Sequence, residues 1–333
     1  MEFPVTDREL LDGQARRIDY LRLSLTDRCN FHCSYCTPPE EHRGRDRLVR
    51  AELARIVAIF ADLGIRRVRL TGGEPTLRPD LLDIVRDARA TPGIEQVALT
   101  TNGHSLATLA APLRQAGLTR LNVSLDTLDA ERLHRIAGRA ASLGRIVAGL
   151  EAAHRAGFEA TKLNVVVVRG ENEGELGALS RFAWRLGATP RFIELMPFGA
   201  AGRQPVPTTE VKALLAVQGI DLEDDPTRGW GPARHMRGTS TEGGETLSGL
   251  AGFIGAMTEN FCAECNRVRV SADGALRACL GGRDRVPLAE LLRGGASDAE
   301  IADRIRAALR MKGDRHHMAE DAGTLLPMVG TGG

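Results

Sequence analysis

Residues 21–36 read LRLSLTDRCNFHCSYC. Leu21, Leu23 and Leu25 alternate with Arg22 and Ser24, the period of a strand with one covered face. The strand, drawn over 20–25, runs straight into Cys29, Cys33 and Cys36, spaced C-x3-C-x2-C. Three thiols therefore stand on one tight loop at the carboxyl end of a strand. Working outward, strand and helix patterns alternate as far as residue 216. Helix 51–63 stops at Gly64. Strand 66–71 enters Gly72-Gly73-Glu74-Pro75. Helix 79–90, strand 96–101, helix 106–116 and strand 120–125 follow. Two helical stretches cover 129–137 and 142–156. Strand 161–168 (TKLNVVVV), helix 173–187 and strand 190–196 complete six β/α units. Repeated βα units imply parallel strands joined by right-handed crossovers, and ligands of such sheets bind at the strands' carboxyl ends. Six units suggest a partial barrel, with an open sheet as the alternative.

Beyond 217 the pattern changes. Residues 223–249 are rich in Gly, Pro and charge and read as a loop or linker. RVRVSADGALRACL at 267–280 reads as a hairpin turning at Asp273-Gly274, followed by helices 287–293 and 297–311. The last ten residues read as disordered by composition.

The chain has 333 residues and a net charge of +1. That balance excludes a general electrostatic grip on nucleic acid, although a local arginine cluster would still hold a small anion. No apolar run approaches the ~20 residues of a membrane span. The first residues, MEFPVTDREL, lack the apolar core of a secretory signal. A cytoplasmic protein is expected, and its cysteines read as metal ligands or catalytic groups. Of 44 basic residues only Lys162, Lys212 and Lys312 are lysine. Lys162 interrupts an apolar strand, as a ligand to an anion or as a snorkelling lysine.

All six cysteines fall into two triplets. Cys262, Cys265 and Cys279 form C-x2-C-x13-C. Three thiolates per site leave one metal position for chemistry, as in an iron–sulfur cluster with one open iron. Zinc is the rival, with His32 or His42 as a fourth ligand to the first site and His235 to the second. Arg267 and Arg269 alternate on one strand and face the same way. They suit a triphosphate or a carboxylate, or else form a solvated face.

The first triplet, followed by TGGEP at 71–75, LTTNG at 99–103, NVSLD at 122–126 and RFIELM at 191–196, resembles the radical S-adenosyl-L-methionine (SAM) superfamily. The resemblance implies a partial (β/α)6 TIM-type barrel with a smaller C-terminal α+β region. It implies that Cys29, Cys33 and Cys36 hold a [4Fe-4S] cluster whose open iron binds SAM. One electron then releases methionine and a 5′-deoxyadenosyl radical. Tyr35, Gly73, Ser124 and Met196 are implied SAM contacts. The window FCAECNRVRVSADGALRACL at 261–280, with GPARHMRG at 231–238 and Gly332-Gly333, is similar to the GTP 3′,8-cyclases, the molybdenum cofactor biosynthesis protein A family.

That narrower resemblance implies a second [4Fe-4S] cluster on Cys262, Cys265 and Cys279 that contacts guanine. The radical would take the ribose 3′ hydrogen, and C3′ would join guanine C8. The product is 3′,8-cyclo-7,8-dihydro-GTP, the first step towards molybdopterin. Arg22, Arg69, Thr100, Lys162, Arg267 and Arg269 are the implied GTP contacts, the last two also catalytic. A flavodoxin- or ferredoxin-type reductant, a downstream cyclic pyranopterin monophosphate synthase and a homodimeric or monomeric state are further family expectations. The expected division is a barrel over 1–222 and a second-cluster region over 223–333. Thr37, Gly281 and Thr331 stand where the family usually has Met, Phe and Ile. The rivals are another radical SAM enzyme with an auxiliary cluster, such as a peptide-modifying maturase, and a nucleic-acid-binding zinc protein.

Overall fold

In the first five strands, the central side chains facing one way are aliphatic and covered. Leu21, Leu23, Val68, Leu70, Val97, Leu99, Leu121, Val123, Leu163 and Val165 are all fully buried. Covering each such side chain contributes about 1.5–3 kcal/mol, which makes this face the core. The computed structural model describes residues 9–36, 48–138, 140–198, 203–226, 229, 231–318, 320 and 328. The strands are β1 (Tyr20–Ser24), β2 (Arg67–Thr71), β3 (Gln96–Thr101), β4 (Arg120–Ser124), β5 (Ala160–Val167) and β6 (Thr189–Glu194). Each pairs in parallel with the next in the chain. Crossovers of one hand, always to the next strand, put the helices on one face and curl the sheet around the other. The result is a partial (β/α)6 barrel. Its outer helices are α1 (Arg50–Asp62), α2 (Leu81–Ala90), α3 (Leu106–Gln115), α4 (Ala130–Ala137), α5 (Leu143–Ala156) and α6 (Leu176–Arg185).

After α7 (Thr208–Val217), the expected loop over 223–249 is instead mostly strand. β7 (Asp221–Asp224), β8 (Arg234–Glu242) and β9 (Glu245–Ile254) form an antiparallel set whose last member pairs in parallel with β6. The glycines that suggest a loop serve packing. The Trp184 ring of α6 lies on the hairpin, where a Cβ at Gly238 or Gly249 would stand 2.6 or 2.5 Å from it. Its Nε1 donates to the Leu250 carbonyl at 3.0 Å.

At the other end, β10 (Arg267–Val270) pairs in parallel with β1, then antiparallel with β11 (Ala275–Arg277), and β12 (Val286–Pro287) closes the edge. The hairpin expected at 267–280 is thus present. α8 (Leu288–Arg293) and α9 (Asp298–Arg310) follow, the latter opened by a Ser297–Glu300 capping box. Strands from the C-terminal residues therefore extend the barrel sheet on both sides. No helix among the described residues is long and apolar enough to cross a membrane.

Candidate active site

All six cysteines line one cavity at the open face of the barrel. The first triplet sits on the loop after β1, pinned on two sides. His32 and Ser34 donate backbone N–H groups to the Ala137 and Ile136 carbonyls at the end of α4, both at 2.9 Å. On the other side, Gly73 N–H bonds the Thr26 carbonyl at 2.7 Å and Glu74 N–H bonds the Arg28 carbonyl at 2.8 Å. A Cβ on Gly73 would stand 2.3 Å from the Arg28 carbonyl oxygen. Only glycine lets the loop after β2 lie against the cysteine loop. Gly73→Ala is therefore expected to push the Cys29 loop outward. Reconstituted protein should lose about half its iron while keeping its far-UV circular dichroism, read by an iron and sulfide assay. Full iron loading would reject this role for Gly73.

Glu74, fully buried, joins strand ends. It accepts from Thr76 N–H at 3.0 Å, Thr101 Oγ1 at 2.8 Å and Asn102 N–H at 2.7 Å. Asn102 in turn reaches Asn30 of the cysteine loop at 2.8 Å. Tyr35 donates to Asp126 Oδ2 at 2.5 Å, and Val166 N–H donates to Asp126 Oδ1 at 2.8 Å. Burial pushes Asp126 up to about 6. Glu194 performs the same tying role for β6, accepting from Met257 N–H at 2.7 Å and from Thr258. Glu74 and Asp126 follow the carboxyl ends of β2 and β4, where the sequence places polar residues, and Glu194, which the sequence reading passes over, ends β6.

The thiols fit an iron–sulfur core. Burial pushes Cys29 up to about 11 and Cys36 to about 12; Cys36 also feels Cys29 and Asp126. Burial, then Cys36, raises Cys33. Three half-buried sulfurs that repel one another as thiolates suit a site completed by a cationic core. A lone zinc ion would hold thiolates at about 2.3 Å. Among the described residues no three Cys, His, Asp or Glu side chains are gathered to hold one ion. His32 is exposed, and His235 feels Lys162 and Arg191 after its own burial. His42, Thr37 and the Gly332-Gly333 tail with Thr331 lie outside the described residues.

In the second triplet, Cys262 and Cys265 lie on one short turn and Cys279 follows β11. Burial raises Cys262. For Cys265 burial is outweighed by Arg267 and Lys312, which bring it down to about 6.

A row of cations set by strand register lines the same cavity. Arg269 is opposite Arg22, and Arg22 is opposite Arg69, on β10, β1 and β2. Arg267 and Arg269 are only 8% and 6% exposed, which removes the solvated-face alternative. Arg267 stacks on the Phe261 ring at 4.7 Å, and Arg69 on Tyr20 at 5.3 Å. Burial, then Arg269 and Arg69, lowers Arg22 well below the usual arginine range. Burial and Arg267 bring Arg269 down to about 10. Cations gathered this closely, two of them disfavoured by burial and by their neighbours, can hold an anion.

Tyr35, Gly73, Thr100, Ser124 and Met196 also line the cavity, and Thr100 Oγ1 is buried with no hydrogen-bond partner. Lys162 does not line it. It is half-buried near the start of β5, opposite Asn122 and Thr189, and burial followed by Arg191, Arg69 and Arg120 lowers it to about 7. Arg191, overlooked in the sequence, links Lys162 to the row. Its Nε donates to Asn164 at 2.9 Å and its Nη2 to Asn122 at 2.6 Å, neutral partners that orient without neutralising it. Burial and Arg69 lower it to about 9. Its signal was the one that picked out Lys162, a cation inside an apolar strand.

A βα barrel whose lumen carries an open cysteine triplet after its first strand defines a radical SAM enzyme. The radical SAM superfamily matches over residues 23–183, and Molybdenum Cofactor Synthesis C over 188–318. The chain is 42% identical over 318 residues to the GTP 3′,8-cyclase of Pseudomonas putida (strain W619), covering 93% of each. It is 42% identical over 325 residues to that of Heliobacterium modesticaldum, covering 94% of this chain and 96% of the relative. The chain belongs to the GTP 3′,8-cyclase family. Among solved structures, Streptococcus suis SuiB bound to S-adenosylmethionine shares the fold, with a TM-score of 0.62 at 14% identity over 87% of this chain and 68% of that one.

Proposed function

We propose that this chain converts GTP to 3′,8-cyclo-7,8-dihydro-GTP, the first step of molybdenum cofactor biosynthesis. The observation that carries it is the register-set row Arg269–Arg22–Arg69, which lines one lumen together with both cysteine triplets. Cys29, Cys33 and Cys36 would hold one [4Fe-4S] cluster, and Cys262, Cys265 and Cys279 the other. Tyr35, Gly73, Ser124 and Met196 would border SAM. When bound there, a cluster and SAM would supply the chemistry for hydrogen-atom abstraction from the ribose C3′.

The chain's own residues do the positioning. Arg22, Arg69, Arg267 and Arg269, together with Arg191 and Lys162, offset the four negative charges of a triphosphate. Burial of Arg191, Arg267 and Arg269 keeps their contacts away from screening water. Thr100 offers an unused hydroxyl. Arg267 and Arg269 lie nearest the second triplet in sequence, so they would fix the nucleotide relative to both metal sites. A flavodoxin- or ferredoxin-type reductant and a cyclic pyranopterin monophosphate synthase downstream complete a cytoplasmic pathway for a monomer or homodimer.

Anaerobic calorimetry tests the substrate. GTP should bind at least about tenfold more tightly than guanosine for each charge-assisted contact the triphosphate makes. Equal affinities would remove GTP as the occupant. The same titration reads Lys162. Its ammonium is at about 7 in the free protein, and a nearby anion favours the charged form. Below pH 7 it is already charged and adds no pH dependence. Above pH 7, GTP binding must take up a proton, so affinity falls by up to about tenfold per unit. At pH 8, two buffers of different ionisation enthalpy should show uptake approaching one proton per GTP. Lys162→Met should show almost none, and equal uptake by both proteins would reject the assignment.

A further inference from the structure

Lys312 is the one lysine that the substrate reading leaves unused inside the molecule. Its side chain is 2% exposed, two residues past the last residue of α9. Nζ donates to the Cys265 sulfur at 3.4 Å and to the Arg267 carbonyl at 2.8 Å. Asp12, whose side chain is fully buried, stands 3.8 Å away. Asp12 belongs to a tight turn near the start of the described chain, where it accepts from Gln14 and Arg16 N–H groups at 3.0 Å and from Arg16 Nε at 2.7 Å. Arg16 continues to the Cys262 carbonyl at 2.8 Å and to the Gly313 and Asp314 carbonyls at 2.6 and 2.9 Å. Two distant parts of the chain, 12–16 and 312–314, thus close around the turn that carries Cys262 and Cys265.

The charges in this clasp do not cancel. One carboxylate, Asp12, faces two cations, Arg16 and Lys312. Arg16 spends its remaining donors on backbone carbonyls, so the surplus positive charge falls at the Cys265 sulfur. Arg267 Nη2 adds a second donor to the same sulfur at 3.6 Å. The sulfurs of the second triplet are therefore polarised unequally.

We propose that Lys312 is a positioning residue that sets the reduction potential of the second cluster, raising it through the charged N–H···S contact to Cys265, with Asp12 holding and moderating that charge. The proposal rests on the reading of Cys262, Cys265 and Cys279 as cluster ligands. Hydrogen bonds to cluster sulfurs and nearby net charge are the protein's levers on potential, and positive charge favours the electron-rich reduced core. A residue that only packed the turn would not need a charge, and its removal would leave the potential where it was.

The test is an anaerobic redox titration of the full-length reconstituted protein, followed by electron paramagnetic resonance, with iron counted per chain. Wild-type protein must first show two clusters; if it shows one, the ligand reading fails by itself, before any variant is compared. Lys312→Met should keep its iron and lower the second cluster's potential by at least the 59 mV that equals a tenfold change in a one-electron equilibrium. The first cluster should not move, and Lys312→Arg should return the second towards wild type. Asp12→Asn, which leaves the lysine unopposed, should shift the potential the opposite way, upward. Retained iron with an unmoved potential in Lys312→Met would overturn the proposal. If that variant sheds the second cluster, Asp12→Asn decides: a rise sustains the proposal, and no rise overturns it. Loss of the second cluster from both variants would also overturn it, in favour of a purely structural clasp.

Discussion

Cys29→Ala is expected to abolish formation of 5′-deoxyadenosine from SAM while leaving the protein folded. The loop that carries Cys29 is held by its backbone, through Ala137, Ile136, Thr26 and Arg28, rather than by its sulfurs. Folding therefore survives the loss of one thiol. Metal binding does not. Among the described residues no histidine or carboxylate joins the remaining two thiols as a third ligand to an ion, and His32 faces solvent. Removing an outer-shell partner of a metal ligand costs about 10–100-fold in affinity or activity, and removing a ligand should exceed that. The check is anaerobic turnover with dithionite and SAM, alongside circular dichroism. Cleavage within tenfold of wild type would mean that Cys29 is not a ligand of the reacting metal site.

The second large effect runs in two directions at once. Arg269→Met keeps the aliphatic stem and removes one positive charge from the middle of the row. Losing a charge-assisted contact of roughly 1.5–3 kcal/mol should weaken GTP binding about 10–150-fold. The protein without GTP should instead become more stable. Burial and Arg267 already disfavour the Arg269 charge, and Arg269 is the largest electrostatic burden on Arg22. Relieving it should raise the melting temperature of the nucleotide-free protein by a few degrees, the familiar opposition between a strained site and stability. Calorimetric GTP affinity and a melting curve, measured on one preparation, read both arms. A variant that binds poorly and also melts lower would show that Arg269 is structural cement.

The barrel was legible because its signals are local. Alternating aliphatics in 20–25, 66–71 and 120–125, each preceded or followed by a glycine-ended helix, need no knowledge of what pairs with what. The triplets were legible for the same reason, as spacings within one loop or one hairpin. The hairpin β8–β9 was not. Its strands are half exposed and carry Arg234, His235, Arg237, Thr239 and Thr241, so no apolar alternation announces them. Gly238 and Gly249 read as loop residues until Trp184 is seen lying over them. Gly243-Gly244 at the turn was the one clue to a hairpin.

Non-local pairing was equally hidden. Nothing near residue 267 says that β10 will lie parallel to β1, yet that pairing is what brings Arg269 beside Arg22 and the second triplet to the first. Lys162 shows the reverse limit. A cation in an apolar strand was visible in the sequence, but its place outside the cavity lining, and Arg191 beside it, required the register of β4, β5 and β6.

One anaerobic turnover experiment tests the central claim most directly. Reconstituted protein is incubated with SAM, dithionite and GTP labelled with deuterium at C3′, and the products are read by mass spectrometry. The arrangement of both triplets and one row of arginines in one lumen predicts 5′-deoxyadenosine that carries the deuterium, together with a cyclised product of GTP. Unlabelled 5′-deoxyadenosine with GTP untouched, from protein shown to hold two clusters, would contradict it.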